Sequence, residues 1–136
     1  FVPAPPAPMP VPAILFNGTK DSILPFEGLN DPGGLGVVLG VPDMVGFWLS
    51  ANGTADVPAI VNLPNRERPL LDRSSVTLFY YEAEASRARV LFYQVNDGGH
   101  GWPGSPASQG IFLGELINQD ISASQLIVDF FAANTR

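Results

Sequence analysis

The chain holds a single histidine, His100, within Gly98-Gly99-His100-Gly101-Trp102-Pro103-Gly104. Glycines on both sides of a histidine just past an apolar run let the backbone turn sharply. They leave the imidazole exposed at the C-terminal edge of a strand, where active sites gather in open α/β sheets. A neutral imidazole there can take up a proton and return it near neutral pH. A lone histidine in a glycine-rich turn is otherwise an ordinary surface residue, so its context has to decide. The second residue of interest is Asp21, in Asn17-Gly18-Thr19-Lys20-Asp21-Ser22-Ile23-Leu24-Pro25-Phe26, a few residues past another apolar run. Its carboxylate could accept the Nδ1 proton of a histidine, fix the ring tautomer and stabilise the imidazolium. The same carboxylate could instead cap its own turn. Each residue follows a strand-like run and the acid precedes the base, so the two together say more than either alone.

What such a pair would serve is a nucleophile, and here the sequence is silent. Nothing reads Gly-x-Ser-x-Gly, the sharp strand-to-helix turn that exposes an activated serine. Ser22, Ser50, Ser74, Ser75, Ser105 and Ser108 all lack that setting. With no cysteine in the chain, thiolate nucleophiles, disulfides and Cys-ligated zinc are excluded together. No His/Asp/Glu cluster has metal spacing, so neither metal nor cofactor is expected. Residues 34–40 imitate a dinucleotide fingerprint, but the last glycine comes one residue late and no strand precedes it, which removes that reading. Asn17-Gly18-Thr19 and Asn52-Gly53-Thr54 match glycosylation sequons, and neither is expected to be used.

The elements that must position Asp21 and His100 follow from the hydrophobic pattern. Residues 11–16 form a continuous apolar run ending at Asn17-Gly18, which suits a strand buried on both faces in a parallel sheet. Residues 27–40 are glycine-rich and read as a loop. Pro42, Asp43 and Gly53 punctuate a helix over 42–52, with Val41, Val45, Trp48 and Leu49 on one buried stripe. Residues 57–71 read as a long connection, with a short strand around 59–63. Residues 76–81 and 89–95 are rich in β-branched and aromatic types and predict an antiparallel hairpin. Their aromatics, Phe79, Tyr80, Tyr81, Phe92 and Tyr93, could form a stacking platform, but core and cross-strand packing is the commoner use. Ser122-Ala123-Ser124-Gln125 is a capping box, with Ile121 placed to staple onto Leu126. The helix it opens carries Ile127, Phe130 and Phe131 on its apolar face and stops at Asn134. The order is an α/β pattern without internal repeats.

Composition bounds the remaining possibilities. At 136 residues and 46% hydrophobic content, the chain suits one domain with a core and is not a disordered segment. A net charge of -6 argues against binding a phosphate backbone, so no nucleic-acid partner is expected. No apolar run approaches bilayer-spanning length. Residues 1–10 carry five prolines and predict an extended arm. They have neither the basic n-region nor the apolar h-region of a signal peptide. A chain opening at Phe1 in mid-phrase reads as a processed or excised piece, with residues 11–136 as its folded part.

The segment from Val11 through Phe26, the stretch Phe47-Trp48-Leu49-Ser50-Ala51-Asn52-Gly53 and the Gly-His-Gly-Trp-Pro-Gly motif together resemble the polyhydroxybutyrate depolymerase and feruloyl esterase family. These are serine esterases of the α/β-hydrolase fold. The residues from Ile121 to Phe131 resemble that family's closing helix. The likeness covers nearly the whole chain beyond the proline arm but only the C-terminal half of the family's domain. It implies that Asp21 is the acid and His100 the base of a Ser-His-Asp triad, with Trp102 a wall of the acyl or leaving-group pocket. It implies substrates that are aromatic acyl esters of plant polysaccharide or polyhydroxyalkanoate esters, and secretion or a periplasmic location. Asn17 stands where these hydrolases very often carry a histidine, and Thr54 where secreted relatives often have a cysteine. The nucleophile, and with it most of the oxyanion hole, would belong to a complementary N-terminal half-domain, leaving the strand at 12–16 without its neighbours. The rival readings are a non-catalytic remnant or binding module built from half a hydrolase fold, and a serine peptidase of the same fold.

Overall fold

A computed structural model describes residues 10–34, 36–66, 73–83, 88–106 and 117–134. The proline arm expected at 1–10 therefore lies outside the described residues except for Pro10. The described chain is a mixed α/β domain. It has a four-stranded sheet in the order β1-β6-β5-β4, a separate two-stranded hairpin and two helices. In the main sheet β1 is Ala13–Gly18, β4 Ala59–Asn62, β5 Ser75–Tyr81 and β6 Val90–Asn96. β1 runs parallel to β6, with Ala13 opposite Val90 and Gly18 opposite Val95. The other two pairings are antiparallel, and β5–β6 is the hairpin expected from the aromatic runs.

The parallel partner of β1 corrects one expectation. The strand does not find all its neighbours in a missing half, because β6 of the same chain pairs with it along its whole length. Its other edge has no partner strand among the described residues. The glycine-rich stretch is also more ordered than a loop: β2 (Leu29–Asp31) and β3 (Gly36–Val38) pair antiparallel. Three-residue strands are too short to show an alternating pattern. The flanking Gly28 and Gly36, at φ 85° and 89°, supply turns that other residues adopt with difficulty.

Two helices cover the sheet. Helix α1 (Val41–Asn52) starts with proline in its first turn and ends at Gly53, whose N–H meets the Ser50 carbonyl and whose left-handed φ of 62° turns the chain so that the Thr54 N–H reaches the Leu49 carbonyl (2.9 Å). Val41, Val45 and Leu49 pack with Ala13, Tyr81, Val90 and Phe92, and Trp48 joins from a half-buried position. Asn52 ends the helix as a buried clamp: its Nδ2 donates to the Val11 and Ala88 carbonyls (2.8 and 3.1 Å), and its Oδ1 accepts the Val11 N–H (3.0 Å). A glycan on that amide nitrogen is incompatible with this packing.

Helix α2 (Ala123–Ala133) covers the opposite face, where Leu126 and Ile121 pack with Val76, Tyr93 and Val95. Ser122 caps it by accepting the Gln125 N–H. Only half of the capping box forms, because the Gln125 amide donates to Asp129 instead of reaching back. Phe130 is buried, but Phe131 is 61% exposed, contrary to expectation. Successive helical residues point about 100° apart, and the stripe through Ala123, Leu126 and Phe130 leaves Phe131 outside it. The aromatics of the hairpin pack internally: Phe79 stacks on Phe92 with ring centroids 5.7 Å apart, and Tyr93 on Phe16 at 5.0 Å.

Candidate active site

β1 and β6 are adjacent and parallel, so the loops that follow them leave the sheet at the same edge. The structure brings Asp21 and His100 together there: His100 Nδ1 lies 2.9 Å from Asp21 Oδ2. An ionised carboxylate can only accept, so a hydrogen bond here requires the ring proton on Nδ1. The two roles weighed for Asp21 coexist. Its Oδ1 accepts the N–H groups of Ile23 (2.9 Å) and Leu24 (2.8 Å), so one oxygen caps the local turn while the other meets the imidazole. Fixing the carboxylate in its own loop aims Oδ2 without help from the histidine. The acid side chain is only 10% exposed and the imidazole 37% exposed.

Close approach of the two loops depends on glycine. A Cβ on Gly18 would collide with the carbonyls of Gly98 and Gly99, and one on Gly98 with the Val95 side chain. The loops are laced by backbone hydrogen bonds from Thr19 N–H to the Val95 carbonyl (3.0 Å) and Lys20 N–H to the Gly98 carbonyl (2.8 Å). The Thr19 hydroxyl accepts the Asp97 N–H at 2.8 Å. Lys20 and Asp97 add an ion pair at 2.8 Å, with both side chains well exposed, where screening leaves little net energy.

From behind, a buried polar knot holds the base loop. Asn118 donates to the Ser74 hydroxyl (2.9 Å) and to Asp120 Oδ2 (3.2 Å), and the other Asp120 oxygen accepts the Arg66 N–H (2.7 Å). The Asn118 carbonyl in turn accepts the Gly104 N–H (2.8 Å). Ile117 packs beneath Gly101, where a Cβ would come within 2.8 Å of it. Thr19, Asn118 and Asp120 escaped sequence reasoning. Polar residues that serve a loop far away along the chain leave no periodic mark.

Beside the pair opens a cavity of about 300 Å³, walled by Phe16, Leu24, Val95, Trp102 and Pro103 with Asp21 and His100 at its polar side. Trp102 is half exposed, yet its indole is anchored: Nε1–H donates to the Ser124 hydroxyl on α2 (3.1 Å), and the ring sits 6.2 Å from Phe16. Behind Phe16, burial pushes the Tyr93 hydroxyl above the ordinary tyrosine value. Tyr81, on the α1 side, is raised by burial first and by Asp56 second.

The arrangement can shuttle a proton beside an apolar cavity. Among the described residues no serine occupies a strand-to-helix elbow, and no group of three or more His, Cys, Asp or Glu could hold a metal ion. No described helix is long and apolar enough to cross a membrane. No protein-family model matches the chain, and no curated protein matches it.

Proposed function

We propose that the chain is the C-terminal half of an α/β-hydrolase domain of the polyhydroxybutyrate depolymerase and feruloyl esterase type. It supplies the acid and base of a Ser-His-Asp triad to a carboxylic-ester hydrolase. The observation that carries this reading is the 2.9 Å contact between Asp21 and His100, made at the C-terminal edge of two adjacent parallel strands in the order acid then base. The apolar cavity walled by Trp102 supports a place for an acyl or alkoxy group. The nucleophilic serine resides on a complementary segment, either earlier in a longer chain or on a separate one. The edge of β1 that has no partner strand among the described residues is where that segment's strand adds.

In this mechanism the serine hydroxyl attacks the ester carbonyl while His100 Nε2 takes its proton, and Asp21 stabilises the resulting imidazolium. The imidazolium then gives that proton to the departing alkoxide. Water repeats the sequence on the acyl-enzyme, with Nε2 again receiving the proton and returning it to the serine. Backbone donors for the oxyanion come from the complementary segment. Substrates are aromatic acyl esters of polysaccharide or polyhydroxyalkanoate esters.

Native material treated with a fluorophosphonate tests this by intact-mass spectrometry. The expected result is one adduct on a serine of the complementary segment, lost in His100→Ala while assembly persists. If no second segment and no adduct are found, the hydrolase reading falls and a silent half-domain remains.

A further inference from the structure

We infer that Thr19 is the positioning residue of the acid–base pair, its hydroxyl holding the turn that aims His100 at Asp21. This rests on the reading of Asp21 and His100 as a working pair. Thr19 sits two residues before the acid, and its hydroxyl accepts the N–H of Asp97, three residues before the base, across 78 residues of chain. Asp97 has φ 58° and is the only non-glycine with positive φ among the described residues. A side chain in that region is uncommon and persists only where its surroundings hold it. The turn it belongs to closes with Gly98 N–H on the Val95 carbonyl (3.1 Å), which puts Asp97 at the third position, where type II turns carry positive φ and glycine is the usual residue.

Three hydrogen bonds and the exposed Lys20–Asp97 ion pair tie this turn to the acid loop. Of the hydrogen bonds, only the one from the Asp97 N–H to the Thr19 hydroxyl can be removed without altering the backbone, and it acts on the strained residue itself. Without it, the Asp97 N–H turns to water and its left-handed conformation loses the one restraint on its own backbone N–H. The glycines that follow transmit the change to the imidazole, because Gly98 and Gly99 offer no side chains to resist it. The contact at stake is a single hydrogen bond of 2.9 Å, which a shift of several tenths of an ångström weakens.

Because His100 is the only histidine, a two-bond ¹H–¹⁵N spectrum of the folded chain, at a pH where the ring is neutral, reports its tautomer without ambiguity and without any hydrolysis. The wild type is expected in the Nδ1–H form that Asp21 requires. Thr19→Val should move the ring toward the Nε2–H form that predominates for a free imidazole in water, and Thr19→Ser should keep the wild-type form. Asp97→Gly, which retains the N–H and tolerates the φ, should keep it too. A folded Thr19→Val that stays Nδ1–H overturns the proposal. So does loss of that form in Thr19→Ser, or in Asp97→Gly, which would assign the task to the Lys20–Asp97 ion pair. Should Thr19→Val fail to fold, the Ser and Gly variants still decide. A wild type in the Nε2–H form would instead sink the acid–base pair itself and the proposal with it, an outcome distinct from the others.

Discussion

Both outer strands of the four-stranded sheet are edges among the described residues, yet they differ in nearly every physical respect. β1 is half-buried along its length and ends in a buried glycine, because α1 covers one of its faces and α2 the other. β4 is exposed at every residue, with Ile60 61% exposed and Val57, just before it, 79%. Natural edges are usually blunted by charge, but residues 57–64 carry none and rely on Pro58 and Pro64 to limit pairing. The edge with helices on both faces also carries the acid–base pair. Covering β1 and β6 turns the loops after them into fixtures of a packed core. At β4 the described residues provide no such frame.

The largest expected effect lies at the covered edge. Asp21→Asn keeps an oxygen to accept the Ile23 and Leu24 N–H groups, so the turn survives. The amide presented to His100 Nδ1 no longer demands a proton there and cannot stabilise an imidazolium. If the chain completes the proposed esterase, turnover of that assembly should fall by about 10⁴-fold with no loss of secondary structure by circular dichroism. Turnover within tenfold of wild type would remove Asp21 from the mechanism.

Next comes Gly18→Ala, which tests how much of the pair depends on backbone contact. The added methyl would press first on the Gly98 and Gly99 carbonyls, and neither can rotate away as a side chain would. Urea unfolding should show a loss of about 1–3 kcal/mol, the usual cost of overpacking. An unchanged midpoint would mean that the two loops separate without strain, and that their closeness does not position the pair.

How much of this was legible follows from how each feature is encoded. Helix α1 was readable because Pro42 and Gly53 punctuate a stripe of period 3.6. The aromatic hairpin was readable because β-branched and aromatic residues concentrate in two runs separated by a polar stretch. Asp21 and His100 stood out by residue type and by their place after apolar runs. Their contact did not, since it requires β1 and β6 to be adjacent and parallel, a pairing between residues about 80 positions apart. Asn52 read as a helix terminus and a sequon, although in the fold its amide joins three segments. The β2–β3 pair was hidden by its brevity, and the exposure of Phe131 by an apolar face read too wide, since Phe131 points about 100° away from the buried Phe130. Local elements write themselves in periodicity. Polar residues that hold distant segments do not.

The smallest effect should come from the uncovered edge, and it sharpens the comparison most directly when paired with a matched change on β1. Ile60→Lys adds a charge where the side chain is already largely in water, so stability should stay within about 0.5 kcal/mol of wild type. Ile14→Lys places the same charge where β1 packs against the cluster containing Val76 and Tyr93 beneath α2. Desolvating the ammonium, or forcing the stem out of the packing, should cost about 1–3 kcal/mol. Urea denaturation of both variants measures the contrast. If the two lost equal stability, helix cover would not distinguish the edges. Sedimentation adds a second axis: a charge on β4 opposes strand addition there, so Ile60→Lys should leave any self-association weaker than wild type, and never stronger.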